Sequence, residues 1–212
     1  MLRIDVWSDV ACPWCYVGKR NLEAALAELG EPAEIHWRAF ELDPSAPPSV
    51  HQPMDELLST KYGVTIEQAR QMNAQMTETA QKSGLNYRLE DVKIGNTFNA
   101  HRLAKFAEAN GHGEAMTERL FAAYFTEGAA LSDQETLVQL GTDVGLDSQA
   151  VRTMLASDEF GAAVRQDEAD AQDAGFTSVP TFVLNGQFSI PGAQPVETMV
   201  RLLQRVLERS AH

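Results

Sequence analysis

Strand-like patterning occurs only near the two ends of this chain, and that distribution narrows the fold more than any other feature. LRIDVW (2–7) and AEIHWRAF (33–40) alternate as half-buried strands do. TFVLNGQFSI (181–190) is two short apolar runs around Asn185-Gly186, a strong hairpin signal. From Met54 to about Gly175 only helical signals occur. If the flanks pair into one sheet, the helices between them are an insertion. The expected organisation is a domain in two parts, residues 1–45 and 161–212, interrupted by a helical domain over 46–160.

Local signals place the elements. Pro13 suits the first position of a helix, which makes Cys12 its N-cap. Leu22, Leu26 and Leu29 form the apolar stripe, and Gly30 ends the helix. In the second strand Ile35, Trp37 and Ala39 share one face, with Glu34, His36 and Arg38 on the other. Pro44, Pro47, Pro48 and Pro53 then mark an extended linker. Thr65 with Gln68, and Ser132 with Glu135, read as capping boxes opening helices near 66–83 and 133–144. Met72 and Met76, four apart, are expected to pack in a core. The last helix, 196–209, should turn Met199, Leu202, Leu203 and Val206 inward.

Composition excludes several functions. The 212 residues carry 17 basic and 30 acidic side chains, a net charge of −13. That excess is spread along the chain and repels phosphate backbones and anionic headgroups, so neither nucleic acid nor a membrane is the expected partner. No stretch approaches the ~18 apolar residues of a spanning helix. Asp5 interrupts the N-terminus before an apolar leader could form. A cytoplasmic protein is therefore expected.

Cys12 and Cys15 are the only cysteines, too close together to staple a long loop. In a reducing compartment such a pair binds metal or performs redox chemistry. Zinc needs two further ligands, and the chain offers only His36, His51, His101, His112 and His212. No metal site is expected. The position of the pair favours redox work. A thiol at a helix N-cap faces free N–H groups and the positive end of the helix dipole, both of which favour thiolate. Cys12 is thus the expected accessible nucleophile, ionising below the ~8.5 of a free thiol. Cys15, one turn in, is the more buried resolving thiol.

Asp9-Val10-Ala11-Cys12-Pro13-Trp14-Cys15-Tyr16-Val17-Gly18, Val179-Pro180-Thr181-Phe182-Val183 and Gly192-Ala193-Gln194 together resemble the DsbA-like branch of the thioredoxin superfamily. The FrnE-like group matches best, near the 2-hydroxychromene-2-carboxylate isomerases and kappa-class glutathione transferases. Gly95-Asn96-Thr97-Phe98-Asn99-Ala100-His101-Arg102-Leu103 resembles a segment of that group's helical insertion. The resemblance implies an α/β thioredoxin fold with an inserted all-helical domain, and a cis Val179–Pro180 bond opposite Cys12. Proline cannot donate a ladder hydrogen bond, so Val179 would present an open main chain to an extended partner. The isomerase and transferase relatives usually have serine at the position of Cys12. Some FrnE-like members carry a further C-terminal cysteine pair, which this chain lacks.

Trp14 is either a rim contact for a peptide partner or a lid over the disulfide. Asn96 and His101 are candidates for contacting substrate or glutathione, against a helix-packing role for the histidine. Asp5 and Asp9 flank the cysteines, and spacing assigns neither of them proton transfer. The sequence thus reads as a dithiol–disulfide oxidoreductase acting on protein thiols, protein disulfides or glutathione, as a monomer or homodimer. It needs no cofactor, with glutathione a possible co-substrate. Two other readings remain: a glutathione-dependent isomerase or transferase on this fold, and a non-redox holdase.

Overall fold

Strand β1 (Leu2–Ser8) is paired on both sides. It runs parallel to β2 (Ala33–Ala39) and antiparallel to β3 (Thr181–Leu184), which pairs antiparallel with β4 (Phe188–Pro191). The computed structural model, which describes residues 1–49 and 52–210, therefore joins both ends of the chain in one four-stranded sheet, order β2-β1-β3-β4. His51 and His212 lie outside the described residues. A parallel pair needs a crossover, and α1 (Pro13–Leu29) supplies it between β1 and β2. Three residues, 185–187, connect Leu184 to its partner Phe188; Asn185 and Gly186 take the positive φ of a tight turn, and the Gln187 N–H donates to the Leu184 carbonyl at 3.0 Å.

The chain divides into two units, Met1–Leu42 with Val164–His212, and Asp43–Ala163. In the first, Leu2, Ile4 and Val6 share one face of the sheet with Phe182 and Leu184. Leu22 and Ala25 of α1 cover that face together with Met199, Val200, Leu203 and Val206 of α9 (Val196–Ser210). Burying these eleven residues together with Ile190 is the main stabilising contribution, at about 25 cal/mol per Å² of apolar surface. The opposite face is polar and meets α8 (Gly161–Asp173) through Asp167. Trp7 Nε1 donates to the Asp167 carbonyl at 2.8 Å, and the Ala39 N–H donates to its carboxylate at 2.9 Å. Arg38 lies 3.2 Å from the other carboxylate oxygen.

The second unit holds α2 (Met54–Tyr62), α3 (Ile66–Lys82), α4 (Phe98–Ala109), α5 (Gly113–Glu127), α6 (Gln134–Asp143) and α7 (Ser148–Ala156), with one 3-10 turn at Leu89–Asp91. Leu103, Met116, Leu120, Phe121, Phe125, Leu137 and Met154 are fully buried. No strand occurs among its described residues. No helix among the described residues is long and apolar enough to cross a membrane.

Two local expectations are corrected. The Thr65–Gln68 capping box forms, but α6 starts one residue later than a Ser132 cap would place it. Its N-cap is Asp133, whose carboxylate accepts from both the N–H and the hydroxyl of Thr136 at 2.8 Å. An anionic cap also gains from the helix dipole, so aspartate displaces serine. Met76 is buried as expected, whereas Met72 is exposed. The buried stripe of α3 passes through Ala69, Met76 and Ala80, with half-buried Asn73 between, and leaves Met72 to one side.

Candidate active site

Asp9 builds the loop between β1 and α1. Its buried carboxylate accepts from the N–H of Ala11 at 3.2 Å and of Leu42 at 2.8 Å, while its carbonyl accepts from the Cys12 N–H at 3.0 Å. These bonds hold the entry to α1 and leave Asp9 acting as a brace. Asp5 is engaged on the polar sheet face, bound by Arg3 and Arg38 at 2.9 and 2.7 Å. Burial raises its pKa, but hydrogen bonds and charge from the two arginines prevail and hold it below the ordinary aspartate value.

Cys12 is the N-cap of α1, in extended backbone geometry, and Pro13 occupies the first helical position. Its side chain makes no cap hydrogen bond to the helix. The thiol points instead to the Val179 carbonyl, 3.7 Å from Sγ. Val179–Pro180 is a cis peptide. Gly18 of α1 lets this segment lie against the helix: a Cβ there would sit 3.0 Å from Pro180 and 3.1 Å from Phe182. Gly18→Ala is expected to lower stability by about 1–3 kcal/mol through overpacking, read as a lower urea midpoint. An unchanged midpoint would mean that Pro180 yields freely.

Both thiols are enclosed. Cys15 is completely buried and Cys12 is 5% exposed, so the expected accessible nucleophile is covered, its sulfur turned in against Val179. Burial drives the Cys15 pKa well above a free thiol's, and the neighbouring Cys12 adds to that. Trp14 between them is 47% exposed, which favours a rim position over a lid. Cys12, Cys15, Trp14, Val179 and Pro180 all belong to the sheet-bearing unit.

Asn96 and His101 belong to the helical unit. The Asn96 side chain accepts from the Phe98 N–H at 2.9 Å, so it helps start α4. His101 is buried in the first turn of that helix. One residue escaped the sequence reading altogether. Ser8 is buried at the end of β1, directly before Asp9. Its parity with Leu2, Ile4 and Val6, a hydroxyl on an apolar face, was the available signal.

A sheet whose first crossover helix opens on a cysteine pair, with a cis-proline segment beside the first sulfur, defines a class of folds, and the comparisons specify it. The model of the DSBA-like thioredoxin domain matches residues 3–204, and the chain belongs to that family. The uncharacterized protein YwbO of Bacillus subtilis (strain 168) is 30% identical over 194 residues, covering 91% of this chain and 90% of YwbO. The probable DsbA oxidoreductase SCO1869 of Streptomyces coelicolor is 38% identical with a TM-score of 0.93, covering 98% and 91% of the two chains. The cytosolic disulfide reductase DsbM of Pseudomonas aeruginosa, solved with GSH, shares the fold at 20% identity and a TM-score of 0.68, covering 97% and 99%.

Proposed function

We propose that the protein is a thiol–disulfide oxidoreductase acting in the cytoplasm on protein thiols and disulfides or on glutathione, without a bound metal or organic cofactor. The observation that carries this is the placement of two thiols on one helix start. Cys12 sits at the dipole's positive end beside Val179, and Cys15 lies one turn in and completely buried. Cys12 thiolate attacks one sulfur of a disulfide, forming a mixed disulfide and expelling the other sulfur as thiolate. Cys15 then attacks Cys12 Sγ, closing the internal disulfide and releasing the second thiol. Two electrons pass to the substrate; the reverse sequence oxidises it. Val179 and Pro180 position the partner's main chain beside Cys12, and Trp14 supplies an apolar rim. The DsbM structure with GSH supports glutathione as one such partner.

The test mixes reduced protein with oxidised glutathione, quenches in acid and maps the products by mass spectrometry. A transient glutathione adduct on Cys12, giving way to a Cys12–Cys15 disulfide, is expected. Adducts spread equally over both cysteines, or no internal disulfide, would refute the assignment.

A further inference from the structure

The proposed cycle asks a difficult thing of Cys15: a thiol with no exposure must ionise before it can attack. Ser8 lies where it can help. Strand alternation puts it on the same face as Leu2, Ile4 and Val6, the face that α1 covers. Cys15 is one turn into α1, seven residues before Leu22 and so on the helix face that packs against the sheet, and the Ser8 hydroxyl is among the groups that act on its thiol. Ser8 is only 6% exposed, and its buried Oγ meets no nitrogen or oxygen partner. A buried hydroxyl without such a partner is uncommon and needs a reason.

Resting on the redox reading above, we infer that Ser8 is a positioning residue for the resolving step, its hydroxyl donating a hydrogen bond to the Cys15 thiolate as that thiolate forms.

The influences on Cys15 fit this role. Burial and Cys12 raise its pKa, while the Ser8 hydroxyl and the Asp9 main chain lower it. Once Cys12 is tied up in a mixed disulfide its charge is gone, and burial is opposed by Ser8 and Asp9. Of these two only Ser8 acts through a side chain. In the step itself Cys15 gives its proton to solvent, its sulfur bonds to Cys12 Sγ, and the bond between Cys12 Sγ and the partner breaks. The partner leaves as thiolate and takes up a proton. The Ser8 proton stays on Ser8 throughout.

The experiment follows reduced protein reacting with an aromatic disulfide whose thiolate absorbs light, such as dithiobis(nitrobenzoate). The first coloured thiolate reports attack by Cys12 and the second reports resolution by Cys15. Ser8→Ala is expected to leave the first phase unchanged and slow the second roughly tenfold at neutral pH, from loss of one hydrogen bond to a charged group. The midpoint of the second phase should move to higher pH, and the gap should close where Cys15 is fully ionised in both proteins. Ser8→Thr, which keeps the hydroxyl, should restore the rate. A second phase and pH profile unchanged in Ser8→Ala would overturn the role, as would equal slowing in the Ala and Thr variants at every pH. A wild-type protein with no second phase would refute the redox reading itself.

Discussion

Cells expressing the Cys15→Ala protein are expected to yield reducible adducts on a non-reducing gel, several in number, that vanish when Cys12 is also replaced. With its partner bonded to Cys12, the variant has lost the thiol held one helical turn away. An intramolecular nucleophile has a very high effective concentration, and without it release is slower on the order of a thousandfold or more. Docking beside Val179 would rely largely on main-chain pairing, which is tolerant of side chains, so the adducts should be varied. Cys12→Ser should remove all exchange. If instead no adduct exceeds the double-variant blank while glutathione turns over, the substrates are small thiols. If Cys12→Ser retains activity, a glutathione-dependent isomerase or transferase replaces the oxidoreductase reading. Saturable binding of apolar segments without either thiol would identify a holdase.

Asp167→Ala is expected to be the most destabilising single change on the polar face of the sheet. The carboxylate is buried and serves the Ala39 N–H and Arg38. Removing it leaves a buried N–H without an acceptor and a cation without one of its anions. The combined loss is about 3 kcal/mol, toward the lower end for a broken buried pair because Arg38 keeps Asp5 and some solvent. Urea unfolding checks this, with Asp167→Asn falling between the two because it keeps an acceptor for Ala39. Asp5 gives the same cluster an acid limb. Its folded pKa lies below its unfolded one, so its stabilisation is complete above the ordinary aspartate value and is lost as pH falls through the lower folded value. An Asp5→Asn protein should show a flatter stability profile in that acidic window.

Much of the architecture was legible because short-range rules governed it. Strand parity, the Asn185-Gly186 turn and the proline after Cys12 each act within a few residues, and each placed an element correctly. The misses share a different cause. Ser132 and Asp133 both satisfy a capping rule, and the choice rests on charge that a spacing pattern does not weigh. Met72 and Met76 fit one stripe, but the packed face of α3 is set by long-range contacts. The enclosure of Cys12 likewise depends on Val179, which is 167 residues away in the chain. Ser8 was visible as a polar residue out of pattern, yet its neighbour Cys15 approaches only through the packing of α1 on β1.

The sheet-bearing unit closes only when its C-terminal part arrives, and this has a consequence for synthesis on the ribosome. β1, α1 and β2 emerge before the helical block, and β3, the antiparallel partner of β1, follows it. At roughly 5–20 residues per second, β1 waits on the order of ten seconds with one edge open. Throughout that interval both thiols exist but Val179 does not yet stand beside Cys12. A nascent chain at that stage carries the cysteine pair without the segment that stands beside it, and the surroundings of Cys12 are completed only once β3 has been made.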